Sequence, residues 1–247
     1  MKAELYALTH RGNPGDTAFY RDVCRGVKSV LELGSGAGRL LLALAAAERE
    51  LVGLELEPAL ILFAARNLRA LPQSKRKSLR IIQGDMRDFE LPRRFERVLL
   101  PYNALYCLLN RRAALACFRA ARRALAPGGK LVLDVWNAGP FQRSPTKAEL
   151  DDDAPVVTFQ HAGCTWDVFE HSRLGRARQR LDVNYTYVPR AGGVVHEIPI
   201  AQRYFLPAEV SELLDRAGFV VEARYGDFSR KRFSARSPHL IVIARSV

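Results

Sequence analysis

The sequence predicts an α/β fold, a doubly wound sheet of mostly parallel strands with a second, antiparallel β segment inserted into it. Up to residue 136, short apolar strands alternate with helical segments, which is typical of parallel strands covered by helices on both faces. After residue 136 the apolar residues recur with a period of two, which predicts antiparallel strands. Hydrophobic residues make up 48% of the 247 residues, enough to bury a sizeable core.

The parallel part begins with a short helix over residues 15–26, for which Asp16 is a candidate N-cap. Pro58 stands where a helix begins, a position that tolerates proline, and Pro127 with the two following glycines ends the last helix before the fifth strand. The predicted strands are 29–33, 51–56, 79–85, 97–101 and 130–136, and the predicted helices are 38–47, 58–70 and 112–125.

The C-terminal part of the chain carries the change of period. Residues 155–205 alternate as antiparallel strands do, with turns at Gly175 and at Gly192 and Gly193. A helix over 206–219 and two strands close the chain. We expect a single domain over 1–247, in which residues 150–205 form the antiparallel insertion.

The composition limits the classes of partner. The net charge of +12 suits nucleic acid or another anionic partner, but the basic residues are spread in short clusters, which favours a solvated basic surface. The four cysteines show no C-x-x-C spacing, which argues against a metal site and against a disulfide framework. The N-terminus lacks the apolar region of a signal peptide, and the longest apolar run is 40–47. We therefore expect a cytoplasmic protein with no membrane partner.

The segment "VLELGSGAGRL", residues 30–40, places three glycines between a strand and a helix. Such a turn lets a ligand approach the backbone. The third glycine follows the second by two positions, and Arg39 comes next, so the dinucleotide fingerprint G-x-G-x-x-G is not met. Glu32, inside the strand, favours a ligand that carries a positive charge.

The next two strands end in carboxylates. Glu55 closes the second strand and can accept hydrogen bonds from both hydroxyls of a ribose. Asp85 follows the third strand and can accept from an exocyclic amine, while Met86 can lie against an adenine face. For Asp85, capping of the next turn is the alternative. Ligands bind at the carboxyl ends of strands in open α/β sheets.

These motifs, in this order, resemble those of class I S-adenosylmethionine-dependent methyltransferases, specifically the small-molecule branch. The resemblance rests on "VLELGSGAGRL", "LVGLELEPALI", "IIQGDMRDF", "RVLLPYNALYCL" and "LAPGGKLVLDVWN", and covers residues 16–137. It implies seven strands in the order 3-2-1-4-5-7-6 with the seventh antiparallel. It also implies that S-adenosyl-L-methionine is the cofactor, and that residues 1–28 form a lid over it. The cofactor-binding residues that it implies are Tyr20, Glu32, Gly34, Ser35, Gly36, Gly38, Arg39, Glu55, Leu56, Asp85, Met86, Leu100 and Pro101.

The resemblance implies methyl transfer to an N or O atom of a small molecule, with the insertion on the substrate side. The alternative, suggested by the charge, is a nucleic acid or protein acceptor. Tyr20 and Asn103 are candidates for a direct catalytic role, and Tyr20 and Tyr6 are candidates for the lid. Related small-molecule enzymes often have a histidine where Cys107 stands, so no base is assigned there. A monomer or a homodimer is expected.

Overall fold

The computed structural model describes residues 1–46, 48–143, 149–151 and 154–247. Its strands are β1 (Ser29–Leu33), β2 (Glu50–Glu55), β3 (Leu79–Gln83), β4 (Phe95–Leu100), β5 (Leu125–Trp136), β6 (Glu149–Asp151), β7 (Val157–His161), β8 (Cys164–Gly175), β9 (Arg180–Pro189), β10 (His196–Arg203), β11 (Phe219–Tyr225) and β12 (His239–Ser246). Its α-helices are α1 (Lys2–Thr9), α2 (Asp16–Val23), α3 (Arg39–Leu44), α4 (Pro58–Arg69), α5 (Gln73–Arg76), α6 (Arg111–Ala124), α7 (Ala138–Arg143) and α8 (Pro207–Arg216).

The main sheet contains seven strands in the order β11-β12-β5-β4-β1-β2-β3. Strands β1 to β5 pair in parallel, whereas β12 runs antiparallel to both of its neighbours. This confirms the predicted order, with the last strand antiparallel between the fifth and the sixth. The carboxyl ends of β1 to β4 therefore meet at one edge of the sheet.

The inserted strands form a separate antiparallel sheet in the order β10-β9-β8-β6, with β7 paired to β8. Strand β8 ends at Gly175, and Gly192 and Gly193 lie between β9 and β10, as the sequence predicts. The predicted insertion includes residues 152 and 153, which lie outside the described residues.

All five residues of β1 are buried, because helices cover both faces of the sheet. Leu31 and Leu33 pack into the hydrophobic cluster on one face, and Val30 packs into the cluster on the other. A strand that is buried on both faces consists mostly of apolar residues. The carboxylate of Glu32 in β1 is therefore an exception. None of the described helices is long and apolar enough to cross a membrane.

Several local predictions differ from the structure. Helix α1 is absent from the sequence prediction; it is fixed by the burial of Leu5 against Trp166 and Tyr187 of the second sheet. The helix predicted over 38–47 ends at Leu44, and residue 47 lies outside the described residues. The N-cap of α2 is Gly15, because the carboxylate of Asp16 pairs with an arginine instead.

Candidate active site

A cavity of about 690 Å³ opens at the carboxyl ends of the parallel strands. The turn after β1, the ends of β2 and β3 and the loop after β4 form one wall, and residues of α1 and β10 form the opposite wall. The predicted site residues that line it are Glu32, Gly34, Ser35, Gly36, Arg39, Glu55, Leu56, Asp85, Met86 and Pro101. Tyr20, Gly38, Leu100 and Asn103 are not part of the lining.

The glycine turn is held against β2 by its own backbone. The N–H groups of Gly34 and Ser35 both donate to the carbonyl oxygen of Leu54, at 2.9 and 3.1 Å. Gly36 has φ +55°, in the left-handed region that favours glycine. A Cβ atom at Gly36 would meet only a ring carbon of Tyr6, at 4.0 Å, so this stretch of backbone faces open space in the cavity.

Glu32 is a buried carboxylate at the inner end of the cavity. Glu32 is only 3% exposed, and its Oε2 atom has no hydrogen-bond partner among the described residues. Burial raises the pKa of this carboxyl to about 8, and the Arg39 guanidinium opposes that rise. An unpaired carboxylate facing a cavity is costly unless a cation neutralises it, so Glu32 suits a ligand with a positive charge.

Glu55 is engaged by backbone N–H groups in this structure. Oε2 accepts from Gly36 at 2.7 Å, and Oε1 accepts from Leu56 and Glu57, both at 2.9 Å. The carboxylate thereby joins the glycine turn to the end of β2. Glu55 also lines the cavity, and its role as a ribose acceptor stays a prediction.

Asp85 shows the turn-capping contact that the sequence left as an alternative. Its Oδ1 accepts from the backbone N–H of Arg87 at 2.8 Å, and its carboxylate pairs with the Arg87 side chain. The hydrogen bond from Arg87 lowers the pKa of Asp85. Met86 lies beside it in the cavity wall.

The loop after β4 has a strained backbone next to the cavity. Tyr102 and Asn103 have φ values of +50° and +61°, which non-glycine residues adopt only where surrounding contacts hold them. The Tyr102 N–H donates to Oδ1 of Asp134 at 3.0 Å, and the Asn103 N–H donates to the Asp134 carbonyl oxygen at 3.1 Å. Asn103 Oδ1 in turn accepts from the N–H of Trp136, so its side chain holds the loop.

Known proteins match both the sequence and the fold. Residues 30–129 match the family model of the methyltransferase domain. The CcbJ methyltransferase of Streptomyces caelestis is 26% identical, with a TM-score of 0.81 over 96% of this chain and 91% of that chain. The chain is an S-adenosylmethionine-dependent methyltransferase.

Two further similar proteins are also methyltransferases. The dTDP-3-amino-3,6-dideoxy-α-D-glucopyranose N,N-dimethyltransferase of Streptomyces fradiae is 26% identical over 78% of this methyltransferase and 73% of its own length. The fold is shared with S-adenosylmethionine-bound CalS10, an amino pentose methyltransferase from Micromonospora echinaspora. That structure has a TM-score of 0.70 at 24% identity and covers 98% of this chain and 96% of that one.

The cavity of the methyltransferase fits S-adenosyl-L-methionine, which carries an ammonium and a sulfonium. The unpaired Oε2 of Glu32 suits the positive charge, and the open side of Gly36 leaves room for a ligand over the turn. A volume of about 690 Å³ lies within the usual range for ligand pockets.

Tyr20 of the methyltransferase is buried in the protein and does not line the cavity. It is fully buried, and its hydroxyl donates to Oδ1 of Asp134 at 2.5 Å. Burial raises the pKa of the Asp134 carboxyl to about 6. Tyr20 therefore supports Asp134, which in turn holds Tyr102 at the cavity.

Tyr20→Phe is expected to destabilise the protein more at pH 8 than at pH 5. The hydroxyl bonds a carboxylate that is ionised above about pH 6, and a hydrogen bond to a charged group contributes about 1.5–3 kcal/mol. Below that pH the carboxyl is protonated and the loss is smaller. Urea denaturation at both pH values measures the difference.

Tyr106→Phe is the matched control. The Tyr106 hydroxyl donates to the carbonyl oxygens of Trp136 and Phe205, at 2.7 and 3.2 Å, which do not titrate. The cost of this substitution is expected to be equal at the two pH values. A pH-independent cost for Tyr20→Phe would contradict the assignment of an ionised Asp134.

Three parts of the site in this methyltransferase are not predicted from the sequence. His10 follows α1, Tyr102 belongs to the strained loop, and Pro199 to Ala201 lie within β10; all of them line the cavity. Tyr102 lies within a recognisable motif, so its neighbourhood could have been assigned. His10 and the β10 residues reach the cavity only through packing of α1 and the second sheet, for which no local pattern exists.

Proposed function

We propose that this methyltransferase methylates an N or O atom of a small molecule, and that an amino group of a sugar is the acceptor. The cavity carries the proposal: α1 and β10 close it opposite the sheet, which leaves a bounded space of about 690 Å³ for cofactor and acceptor together. The similarity to an N,N-dimethyltransferase of an aminodeoxy sugar supports nitrogen as the acceptor atom.

The sites of the cofactor are assigned by the groups that face the cavity. We place the ammonium at Glu32, the ribose at Glu55 and Leu56, and the adenine at Asp85 and Met86. The backbone of Gly34, Ser35, Gly36 and Gly38, with Arg39, forms the turn around the methionine part; Leu100 supports Pro101 at the methyl side. The sulfonium supplies an already activated methyl group, so the protein contributes mainly alignment and exclusion of water.

The distribution of charge supports a small acceptor over a nucleic acid. Within the described residues, the basic side chains that line this cavity are Arg39 and Arg87, and both are paired with aspartates. A separate cavity of about 790 Å³, near the start of β5, is lined by Arg94, Arg119, Arg122, Arg123 and Arg216. This cluster of five arginines lines a cavity other than the proposed site. A nucleic acid acceptor remains the second candidate because of the net charge of +12.

We further propose one domain over 1–247, with 1–28 as the lid region and 150–205 as the substrate side. Tyr6 and His10 from the first segment, and Pro199 to Ala201 from the second, support this because they line the cavity. A monomeric or homodimeric state and a cytoplasmic location stay predictions from the sequence.

S-adenosylhomocysteine is expected to raise the melting temperature, whereas NAD leaves it unchanged. A ligand at 100 times its dissociation constant stabilises a fold by about 2.7 kcal/mol, which thermal unfolding readily detects. Stabilisation by NAD alone would contradict the cofactor assignment.

The acceptor class is tested by transfer of radiolabelled methyl from S-adenosylmethionine. dTDP-3-amino-3,6-dideoxy-α-D-glucopyranose, the substrate named for the Streptomyces fradiae relative, is expected to be labelled at nitrogen. Fragments of tRNA and rRNA serve as the competing acceptors, with binding measured at 50 and 200 mM salt. Labelling of the RNA but not of the sugar would favour the second candidate.

A further inference from the structure

His10, at the C-terminal end of α1, lies in the wall of the cavity between three aromatic rings. Its imidazole stacks on Tyr6 with ring centroids 4.1 Å apart and an angle of 17°. The rings of Tyr185 and Tyr102 meet it edge-on, at 5.1 and 6.3 Å. Rings from α1, from β9 and from the loop after β4 therefore fix the plane of the imidazole.

A hydrogen bond to the backbone determines which ring nitrogen of His10 carries the proton. Nδ1 lies 3.0 Å from the carbonyl oxygen of Tyr6. A carbonyl oxygen only accepts, so Nδ1 is the donor and Nε2 carries the lone pair of the neutral ring. Burial lowers the pKa of His10 below 6.5, so the ring is neutral at pH 7. Within the described residues, the ring makes no other hydrogen bond.

The other titratable groups around His10 hold their protons at neutral pH. Burial raises the pKa values of the Tyr6, Tyr102 and Tyr185 hydroxyls above 10. Desolvation raises the pKa of the Cys107 thiol to about 11. These four groups therefore stay protonated and uncharged at neutral pH, and none of them is an effective acceptor of a proton.

The charged groups near this set of rings are already engaged. The Arg39 guanidinium lies over the Tyr102 ring and pairs with Asp16. Glu170 lies beside Tyr185 and accepts from Ser172 at 2.9 Å. Glu55, further along the cavity, accepts three backbone N–H groups. His10 is thus the described group on this side of the cavity that is suited to accept a proton at pH 7.

We propose that His10 is a catalytic base that prepares the methyl acceptor. Nε2 takes one proton from the ammonium of a bound amine, which gives an imidazolium and a neutral amine. The amine lone pair then forms the new N–C bond while the C–S bond of the sulfonium breaks and its electron pair stays on sulfur. This inference rests on the proposed transfer to an amine, for which a base is needed because an ammonium has no lone pair.

The variant His10→Asn tests the assignment because the Asn amide can still donate to Tyr6 and cannot accept the proton. With dTDP-3-amino-3,6-dideoxy-α-D-glucopyranose as acceptor, kcat at pH 7 is expected to fall about 100-fold or more, with an unchanged KM for S-adenosylmethionine. The kcat of the variant is expected to rise with pH as more of the amine is neutral. The wild-type kcat is expected to fall only when the pH drops below the lowered pKa of His10. An unchanged kcat and an unchanged pH profile would overturn the proposal.

His161→Asn is the matched control. His161 also contacts α1, with Nε2 3.6 Å from the Glu4 carboxylate, and it lies outside the cavity lining. Its substitution disturbs the same helix and leaves the cavity intact, so kcat and the pH profile are expected to match the wild type. A loss equal to that of His10→Asn would show that α1 acts only through its position.

A second readout is independent of any acceptor. Two-dimensional ¹H–¹⁵N NMR of the protein saturated with S-adenosylhomocysteine reports the tautomer and the charge of each histidine. We expect His10 to be neutral and protonated on Nδ1 at pH 7. A proton on Nε2, or a charged ring, would overturn the proposal. If the wild type labels no amine while His10 shows the expected tautomer, the proposed acceptor class has failed and the assignment of Nε2 has not.

Discussion

Gly36→Val is expected to lower the affinity for S-adenosylhomocysteine at least about 100-fold while the chain still folds. Gly36 has φ +55°, and its missing side chain faces the cavity, where the nearest atom to a Cβ would be a Tyr6 ring carbon at 4.0 Å. The branched methyl groups of valine would fill the space between the turn and Tyr6, where the ligand is placed. Titration calorimetry measures the affinity, and circular dichroism verifies the fold.

The control for backbone strain is Gly26→Val. Gly26 also has a positive φ, +71°, and a Cβ there would meet nothing within 4 Å. A left-handed conformation costs a residue with a side chain about 1–2 kcal/mol, so both variants lose stability of this order, and Gly26→Val keeps its affinity. Retention of binding by Gly36→Val would mean that the turn has only a structural role.

Glu32→Gln is expected to weaken S-adenosylhomocysteine binding about 10- to 150-fold at pH 8. The buried carboxylate has an unpaired oxygen, and a charged hydrogen-bond partner contributes about 1.5–3 kcal/mol. In the unliganded protein at pH 7 the carboxyl is mostly protonated, since burial raises its pKa to about 8. A ligand ammonium favours the carboxylate, so binding at pH 7 is expected to release up to one proton. Calorimetry in buffers of different ionisation enthalpy measures this proton.

The same substitution also changes how the stability of the unliganded protein depends on pH. The pKa of Glu32 is raised in the folded state from 4.5 to about 8, so between these pH values the folded state binds more protons than the unfolded state. The free energy of unfolding therefore falls as pH rises from 4.5 to 8, and Glu32→Gln removes this contribution.

Glu57→Gln is the matched control, because Glu57 also lines the cavity but is exposed. Equal proton release by the wild type and Glu32→Gln would contradict the assignment.

The elements that the sequence predicts well are those whose pattern depends on one sheet alone. Strands β1 to β4 lie within three residues of their predicted bounds, because a strand buried on both faces must be apolar along its length. Strand β5 starts at Leu125, earlier than predicted, since Pro127 to Gly129 are included in it. Helix α1 was missed because its one buried residue, Leu5, packs against another sheet.

The sequence alone determined which residues meet at the edge of the sheet where we propose that the cofactor binds. Parallel strands bring their carboxyl ends to one edge, so Glu32, Glu55 and Asp85 had to come close to the glycine turn, and they all line the cavity. Only the tertiary structure decided the partners of each side chain. Tyr20 bonds a buried aspartate and does not cover the cavity. His10 meets the cavity because α1 packs on the second sheet. Such contacts join residues that are far apart in the chain. Their geometry depends on how whole helices and strands pack, and local sequence patterns do not predict this packing.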